Sequence, residues 1–168
     1  MTSRPPRSRG SQSLRDTIIE LKCKKMSQDA VVDLSTYRHM KKRARERHIL
    51  VVDQDEVTRN GMKRFLEGER FRVELAEDAI TLSEAIEQGS LDMIFLDMDL
   101  PWVNGVELCQ LIKGHRSLQG VPVILTGNEQ DSGTIHQAFA AGCDEYLVKP
   151  FDAEKMTEVV RKVFGENS

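Results

Sequence analysis

The chain has 168 residues and a mass of 19.1 kDa, room for one domain with an extension. It is 39% hydrophobic and 30% charged, which excludes a wholly disordered chain, and no run approaches the roughly 18 consecutive apolar residues of a membrane helix. The net charge of −3 conceals a division: residues 1–48 hold 13 Lys and Arg against 5 Asp and Glu, whereas residues 49–168 hold 11 against 22. A basic arm therefore precedes an acidic body.

The opening "MTSRPPRSRGSQS" has no apolar stretch behind its positive charges, so it is not a secretory signal. Its Arg, Pro, Ser and Gly content predicts disorder. Cys23, Cys109 and Cys143 show no paired spacing and are expected to be free thiols in a reducing cytoplasm. From Leu14 the chain tolerates helix: Leu14, Ile18 and Leu21 make one apolar stripe, and "AVVDLSTYRHM" then leads into "KKRARERH" at 41–48. One or two helices are expected over 14–48. Residues 1–47 are taken as a basic extension, partly disordered and partly helical. Its charge suits nucleic acid or anionic lipid, but a solvated helical lead-in that complements the acidic body or a partner is the preferred reading.

After Arg47 short apolar runs alternate with amphipathic segments. The runs are "ILVV" (49–52), "FRVEL" (71–75), "LDMIFL" (91–96), "VPVIL" (121–125) and "DEYLV" (144–148). All but "FRVEL" are nearly continuous, as parallel strands covered on both faces require; "FRVEL" alternates like an edge strand. Helices are predicted at about 57–68 (Val57, Met62, Phe65, Leu66), 79–88 (Ile80, Leu82, Ile86) and 105–114 (Val106, Leu108, Leu111, Ile112). Two more follow at 132–141 (Ile135, Ala138, Phe139) and 153–164 (Met156, Val159, Val160, Phe164). Gly68, Gly89, Gly114 and Gly142 stand at or after helix ends, where a left-handed residue is wanted. Five strands alternating with five helices imply right-handed crossovers and a three-layer α/β sandwich.

In open parallel sheets, sites form at the carboxyl ends of the strands. There the first run ends in Asp53, the third in Asp97, the fourth in Thr126 and the fifth in Lys149, followed by Pro150. Singly, each is more often a turn former, a helix cap or a solvated side chain. Together, two acids, a hydroxyl and a lysine suit a divalent cation and a phosphoryl group: the cation and the lysine let the carboxylates share a pocket, and a carboxylate can itself become an aspartyl-phosphate.

The stretches "ILVVDQDE", "MIFLDMDLPWVNG", "VPVILTG" and "AAGCDEYLVKPF" resemble the receiver domain of two-component response regulators over about residues 48–165. The resemblance implies a doubly wound, flavodoxin-like α/β fold with five parallel strands in the order 2-1-3-4-5. It also implies roles. Asp97 would be the phosphoacceptor; Asp53, Asp97 and the backbone carbonyl of Asp99 would hold Mg²⁺; Thr126 and Lys149 would stabilise the phosphoryl group. Tyr146 would move inward with Thr126 and alter the surface of the fourth helix, fifth strand and fifth helix, the face through which a homodimer would form. The donor would be a histidine kinase or histidine phosphotransfer protein, the output an unknown protein target. No enzymatic activity is expected beyond self-phosphorylation and self-dephosphorylation at Asp97.

One residue departs from the pattern. Gln54 occupies a place where the family has a second acid. Its side-chain carbonyl can still act as a metal ligand, with one less negative charge, so weaker Mg²⁺ binding is expected. Asp55 is assigned to the loop or a helix cap. Asp99 and Asn128 flank the site in positions that, in the family it resembles, influence phosphate lifetime. An alternative is a receiver-like interaction module that works without phosphorylation. A third idea is nucleic-acid binding by the basic arm. His39, His48, His115 and His136 lack metal-ligand spacing and are assigned surface or cap roles; Trp102 is read equally as packing over its loop or as a docking face. No output domain is expected after the last helix.

Overall fold

The structure, a computed structural model, describes residues 33–38 and 46–165. The chain divides into two units after Glu46. In the first, residues 34–38 make one helical turn. Its N-terminus is closed by Asp33, which accepts hydrogen bonds from the Thr36 amide and the Ser35 hydroxyl, both at 2.7 Å. The Thr36 amide is the main cause of an Asp33 pKa lowered to about 2. The expectations for the first dozen residues, the Leu14–Ile18–Leu21 stripe, Cys23 and His39 lie outside the described residues.

The second unit carries β1 (His48–Val52), α1 (Glu56–Gly68), β2 (Arg72–Ala76), α2 (Ala79–Gln88) and β3 (Met93–Asp97). It continues with α3 (Gly105–Gly114), β4 (Val123–Gly127), α4 (Ser132–Ala140), β5 (Glu145–Val148) and α5 (Ala153–Phe164). The strands form one parallel sheet in the order β2-β1-β3-β4-β5.

The strand period of two sorts side chains into two cores. Leu50, Val52, Ile94, Leu96, Val123 and Leu125 face one side, where Leu82 of α2, Leu108 and Ile112 of α3 and Ala138 of α4 meet them. Ile49, Val51, Met93, Phe95 and Ile124 face the other, against Met62 and Leu66 of α1 and Met156 and Val160 of α5. Hence β1, β3 and β4 are buried along their whole length. Each of α1 to α5 starts on an Asp or Asn whose side chain accepts from backbone amides of the first turn: Asp55, Asp78, Asn104, Asp131 and Asp152. Among the described residues, no helix is long and apolar enough to cross a membrane.

Several local expectations change. β5 is an edge strand in which only Leu147 is buried, because β4 is its sole neighbour in the sheet. Gly89 and Gly142 do adopt positive φ, but Gly68 and Gly114 are the last residues of their helices and do not; Arg70 takes the positive φ after α1. Val57, Ile80 and Leu111, counted with the apolar faces, are exposed, and Arg59 occupies the buried face of α1 with Met62 and Leu66. His48 is not a surface residue. Its ring is buried at the start of β1, with Nε2 3.1 Å from Glu74 Oε2 but not aligned as a hydrogen bond, and burial holds its pKa below the usual value. Cys109 and Cys143 are buried free thiols, pushed up to about 11 and about 12 by burial.

The segment after β3 turns back so tightly that a Cβ at Gly105 would lie 2.5 Å from both the Asp97 carbonyl oxygen and Met98 Cα. These are backbone atoms, which cannot step aside as a flexible side chain can. Gly105→Ala is therefore expected to destabilise the chain by about 2–3 kcal/mol or more, read as a lower urea midpoint. A wild-type midpoint for this variant would refute the packing described.

Candidate functional site

The sheet delivers four side chains to one end. Asp53 is the first residue beyond β1, anchored by its amide to the Ala76 carbonyl at 3.3 Å. Asp97 is the last residue of β3 and lies opposite Thr126 in the register with β4. Thr126 does not close its strand; Gly127 does. Lys149 follows β5, held by its amide on the Gly127 carbonyl at 2.8 Å and joined to Pro150 by a cis peptide. Asp53, Asp97 and Thr126 are 1%, 2% and 1% exposed. Solvation cannot support these carboxylates, so protein partners must.

Lys149 supplies the positive charge. Its Nζ lies 2.7 Å from Asp53 Oδ2 and 3.3 Å from Asp97 Oδ1. Burial pulls the Lys149 pKa down, but the hydrogen bond and charge of Asp53, followed by those of Asp97, reverse this and leave it raised. Asp97 responds differently. Burial, with repulsion from Asp53, raises its pKa despite the Asp99 amide at 3.1 Å and Lys149. Of the two carboxylates, Asp53 has the shorter contact to the ammonium. Asp53 Oδ1 also accepts the Asp55 amide at 2.8 Å.

Gln54 reaches across the cleft. Its Nε2 donates to the Asp99 carbonyl oxygen at 2.7 Å. Only the NH₂ end of an amide can face a carbonyl, so the chemistry settles the orientation. The side-chain carbonyl considered as a ligand is thus not the end turned to Asp99, and the Asp99 carbonyl already has a donor. Asn128 Nδ2 approaches Asp99 Oδ2 at 3.4 Å. Asp55 is the α1 cap, accepting from the Thr58 amide at 2.8 Å and hydroxyl at 2.6 Å, bonds that lower its pKa.

Tyr146 packs against the core on the α2–α4 side, and its hydroxyl donates to the Glu129 carbonyl at 2.9 Å. The hydroxyl lies over Gly127, where a Cβ would approach it to 2.6 Å. Burial, then Asp99 and Glu129, raises its pKa. Trp102 packs on the same core and donates to the Glu77 carbonyl at 3.2 Å, which favours the packing reading of this residue.

Sequence reasoning missed Arg59. Buried on α1, it donates through Nη1 to the carbonyls of Asp53 at 2.7 Å and Gln54 at 2.8 Å, and through Nη2 to Glu77 at 2.9 Å. The available signal was its spacing: Arg59, Met62 and Leu66 share one helical face.

The cleft has a volume of about 260 Å³ and is lined by Asp53, Gln54, Asp97, Asp99, Asn128 and Lys149, among others. A larger groove of about 520 Å³ runs alongside, meeting it at Thr58, Asn128 and Lys149. Its Met62, Phe65, Phe151 and Met156 walls are apolar and offer nothing to a phosphoryl group. Among the described residues no three His, Cys, Asp or Glu side chains are grouped to hold a metal ion. Two buried carboxylates and a carbonyl oxygen nevertheless form a hard donor set that fits Mg²⁺, which keeps several waters of its own.

The family model for the response regulator receiver domain matches residues 49–161. The chain belongs to the response regulator receiver family. Within that family it is 33% identical over 128 residues to the transcriptional regulatory protein CseB of Streptomyces avermitilis, covering 74% of this chain and 53% of that protein. It is 35% identical over 121 residues to the transcriptional regulatory protein ResD of Bacillus subtilis, covering 70% and 47%. This receiver chain thus spans about half the length of the curated relatives it matches. Nothing in them supports the alternative of a module that works without phosphorylation. A two-component response regulator from Clostridium difficile has a TM-score of 0.67 at 27% identity, over 73% of this chain and 100% of that one. The receiver domain of the sensor histidine kinase PA1611 from Pseudomonas aeruginosa, solved with magnesium coordinated in its active-site cleft, shares the fold at TM-score 0.65 and 24% identity, over 73% and 100%.

Replacing Arg59 with Met leaves the buried Asp53 carbonyl without its donor. A loss of about 2–3 kcal/mol in urea unfolding is expected. Asp97 supplies a pH test. Because its folded pKa is raised above the unfolded value, the folded chain binds the extra proton, and stability falls as pH rises through that interval. In chelator, Asp97→Asn should exceed the wild type in stability at neutral pH, the gap closing on acidification. Thermal unfolding across pH checks this.

Proposed function

We propose that the chain is a phosphorylation switch of a two-component phosphorelay, with Asp97 as the phosphoacceptor. The observation that carries this reading is the Lys149 ammonium lying within reach of both Asp53 and Asp97, two buried carboxylates from separate strand ends. An Asp97 oxygen attacks the phosphorus of a phosphohistidine on a kinase or phosphotransfer protein. The new O–P bond forms as the P–N bond breaks, and the leaving imidazole nitrogen takes the bond's electron pair and then a proton from water. Lys149 and the Thr126 hydroxyl balance charge on the equatorial oxygens. Asp53, Asp97 and the Asp99 carbonyl are the groups that would hold Mg²⁺, whose charge would be shared with those same oxygens.

The proposed switch runs from Thr126 to Tyr146. Both border Gly127, Thr126 as its neighbour in β4 and Tyr146 through its hydroxyl. Drawing Thr126 towards a phosphoryl group disturbs the slot in which Tyr146 rests and so biases the α4–β5–α5 face between two packings. A downstream protein, or a second copy of the chain, would read that face. Residues 1–47 are assigned as a separate basic extension, and the cytoplasm as the place of action. MtrA of Mycobacterium tuberculosis, a relative at 29% identity over 119 residues, is named a DNA-binding response regulator. Nucleic-acid binding here would rest on the basic arm or on a segment outside this match.

Incubation of the full chain with acetyl phosphate and Mg²⁺ is expected to give one acid-stable, hydroxylamine-labile adduct by intact mass, lost in Asp97→Asn. An adduct that persists in Asp97→Asn rejects the assignment. So does the absence of both an adduct and any spectral response to beryllofluoride.

A further inference from the structure

Gln54 is exposed and neutral, yet it is tied at both ends. Its main-chain carbonyl accepts from Arg59 at 2.8 Å, and its side-chain nitrogen donates to the Asp99 carbonyl at 2.7 Å. The second bond links the loop after β1 to the loop after β3, between residues 45 apart in sequence. Asn128, in the loop after β4, approaches the Asp99 carboxylate from another element.

We infer that Gln54 is a latch on the cation seat: its amide holds the loop after β3 by the Asp99 carbonyl and competes with a divalent cation for that oxygen. The inference rests on the cation-assisted reading of the site given above and deepens it. The hydrogens of an amide NH₂ carry partial positive charge. Placed against a carbonyl oxygen they stabilise it in the absence of metal, and they oppose a cation that approaches the same oxygen. A carboxylate at position 54 acts in the opposite sense, repelled by the carbonyl and attracted by the cation. Glutamine therefore does more than subtract one negative charge. It makes loading of the site conditional on breaking a hydrogen bond. Gln54 is a positioning residue in this account, acting through Asp99 and not on the phosphoryl group.

The opposing possibility is that the amide rotates and offers its oxygen to the cation as a ligand. Deleting the amide separates the two. Gln54→Met keeps the length of the side chain and removes both donor and acceptor; Gln54→Ala removes its bulk as well. Both changes lie on an exposed side chain, so the fold should tolerate them. The ¹⁵N-labelled full-length chain is titrated with MgCl₂ and the Asp99 amide resonance followed. The latch predicts Mg²⁺ binding tighter by about two- to ten-fold in both variants. It also predicts faster amide hydrogen exchange at residues 99, 100 and 102 in metal-free protein, a readout that needs no cation. Weaker or unchanged Mg²⁺ binding in the variants, or unchanged exchange, overturns the latch. Gln54→Glu is the control for the underlying reading: if that variant and the wild type both fail to bind Mg²⁺, the cation-assisted reading falls and the latch with it. If the wild type binds Mg²⁺ and forms the Asp97 adduct while Gln54→Met binds no more tightly, only the latch is lost.

Discussion

Two carboxylates almost wholly out of water, Asp53 and Asp97, share the single ammonium of Lys149, and much of the structure around them follows from that arrangement. Either charge alone in such a place would incur a desolvation cost of several kcal/mol, and the two together also repel. A parallel sheet resolves the conflict. Strands running the same way bring their carboxyl ends to one edge, so residues 53, 97 and 149, distant in sequence, meet there without distorting any strand. The residual imbalance is informative. Lys149 lies nearer Asp53 than Asp97, and burial, with repulsion from Asp53, holds the Asp97 carboxyl above its ordinary range.

Backbone approach around the site is as restrictive as its charge. Gly105 lets the start of α3 press against the chain immediately after Asp97, and Gly127 leaves a slot for the hydroxyl of Tyr146. Arg59 stitches the loop after β1 to Glu77 beyond β2 while holding the carbonyls of Asp53 and Gln54. These contacts tie the acidic cleft to elements on both faces of the sheet. A charge change at Asp97 therefore has packed neighbours through which to act, an expectation for tightly packed interiors.

Family membership describes the scaffold and the general chemistry; the bond from Gln54 to the Asp99 carbonyl is read from this chain's own structure. A site with two carboxylates, one ammonium and an amide bracing a carbonyl differs electrostatically from one with a further acid. On the proposed reading the difference falls on cation loading, because Gln54 bonds to the Asp99 carbonyl while Asp97 and Lys149 line the cleft beside it. The match to about half the length of CseB and ResD fits a receiver as the unit whose chemistry is described.

How much of this was legible before the fold was known differs by residue. The five strands and five helices were readable because their periods differ, and the strand-end residues were readable because a parallel sheet has only one edge where such groups collect. Arg59 was not: a charged residue on an apolar helical face reads as solvated until its carbonyl partners are known. Nor was His48, whose burial comes from its place at the start of the interior strand β1. Val57, Ile80 and Leu111 matched the helical period yet face water, because periodicity marks a stripe without saying how far the neighbouring layer extends over it. For Gln54, sequence alone determined a neutral amide beside Asp53. Only the tertiary structure decided which end of that amide faces the site, since the Asp99 carbonyl that orients it arrives on the loop after another strand.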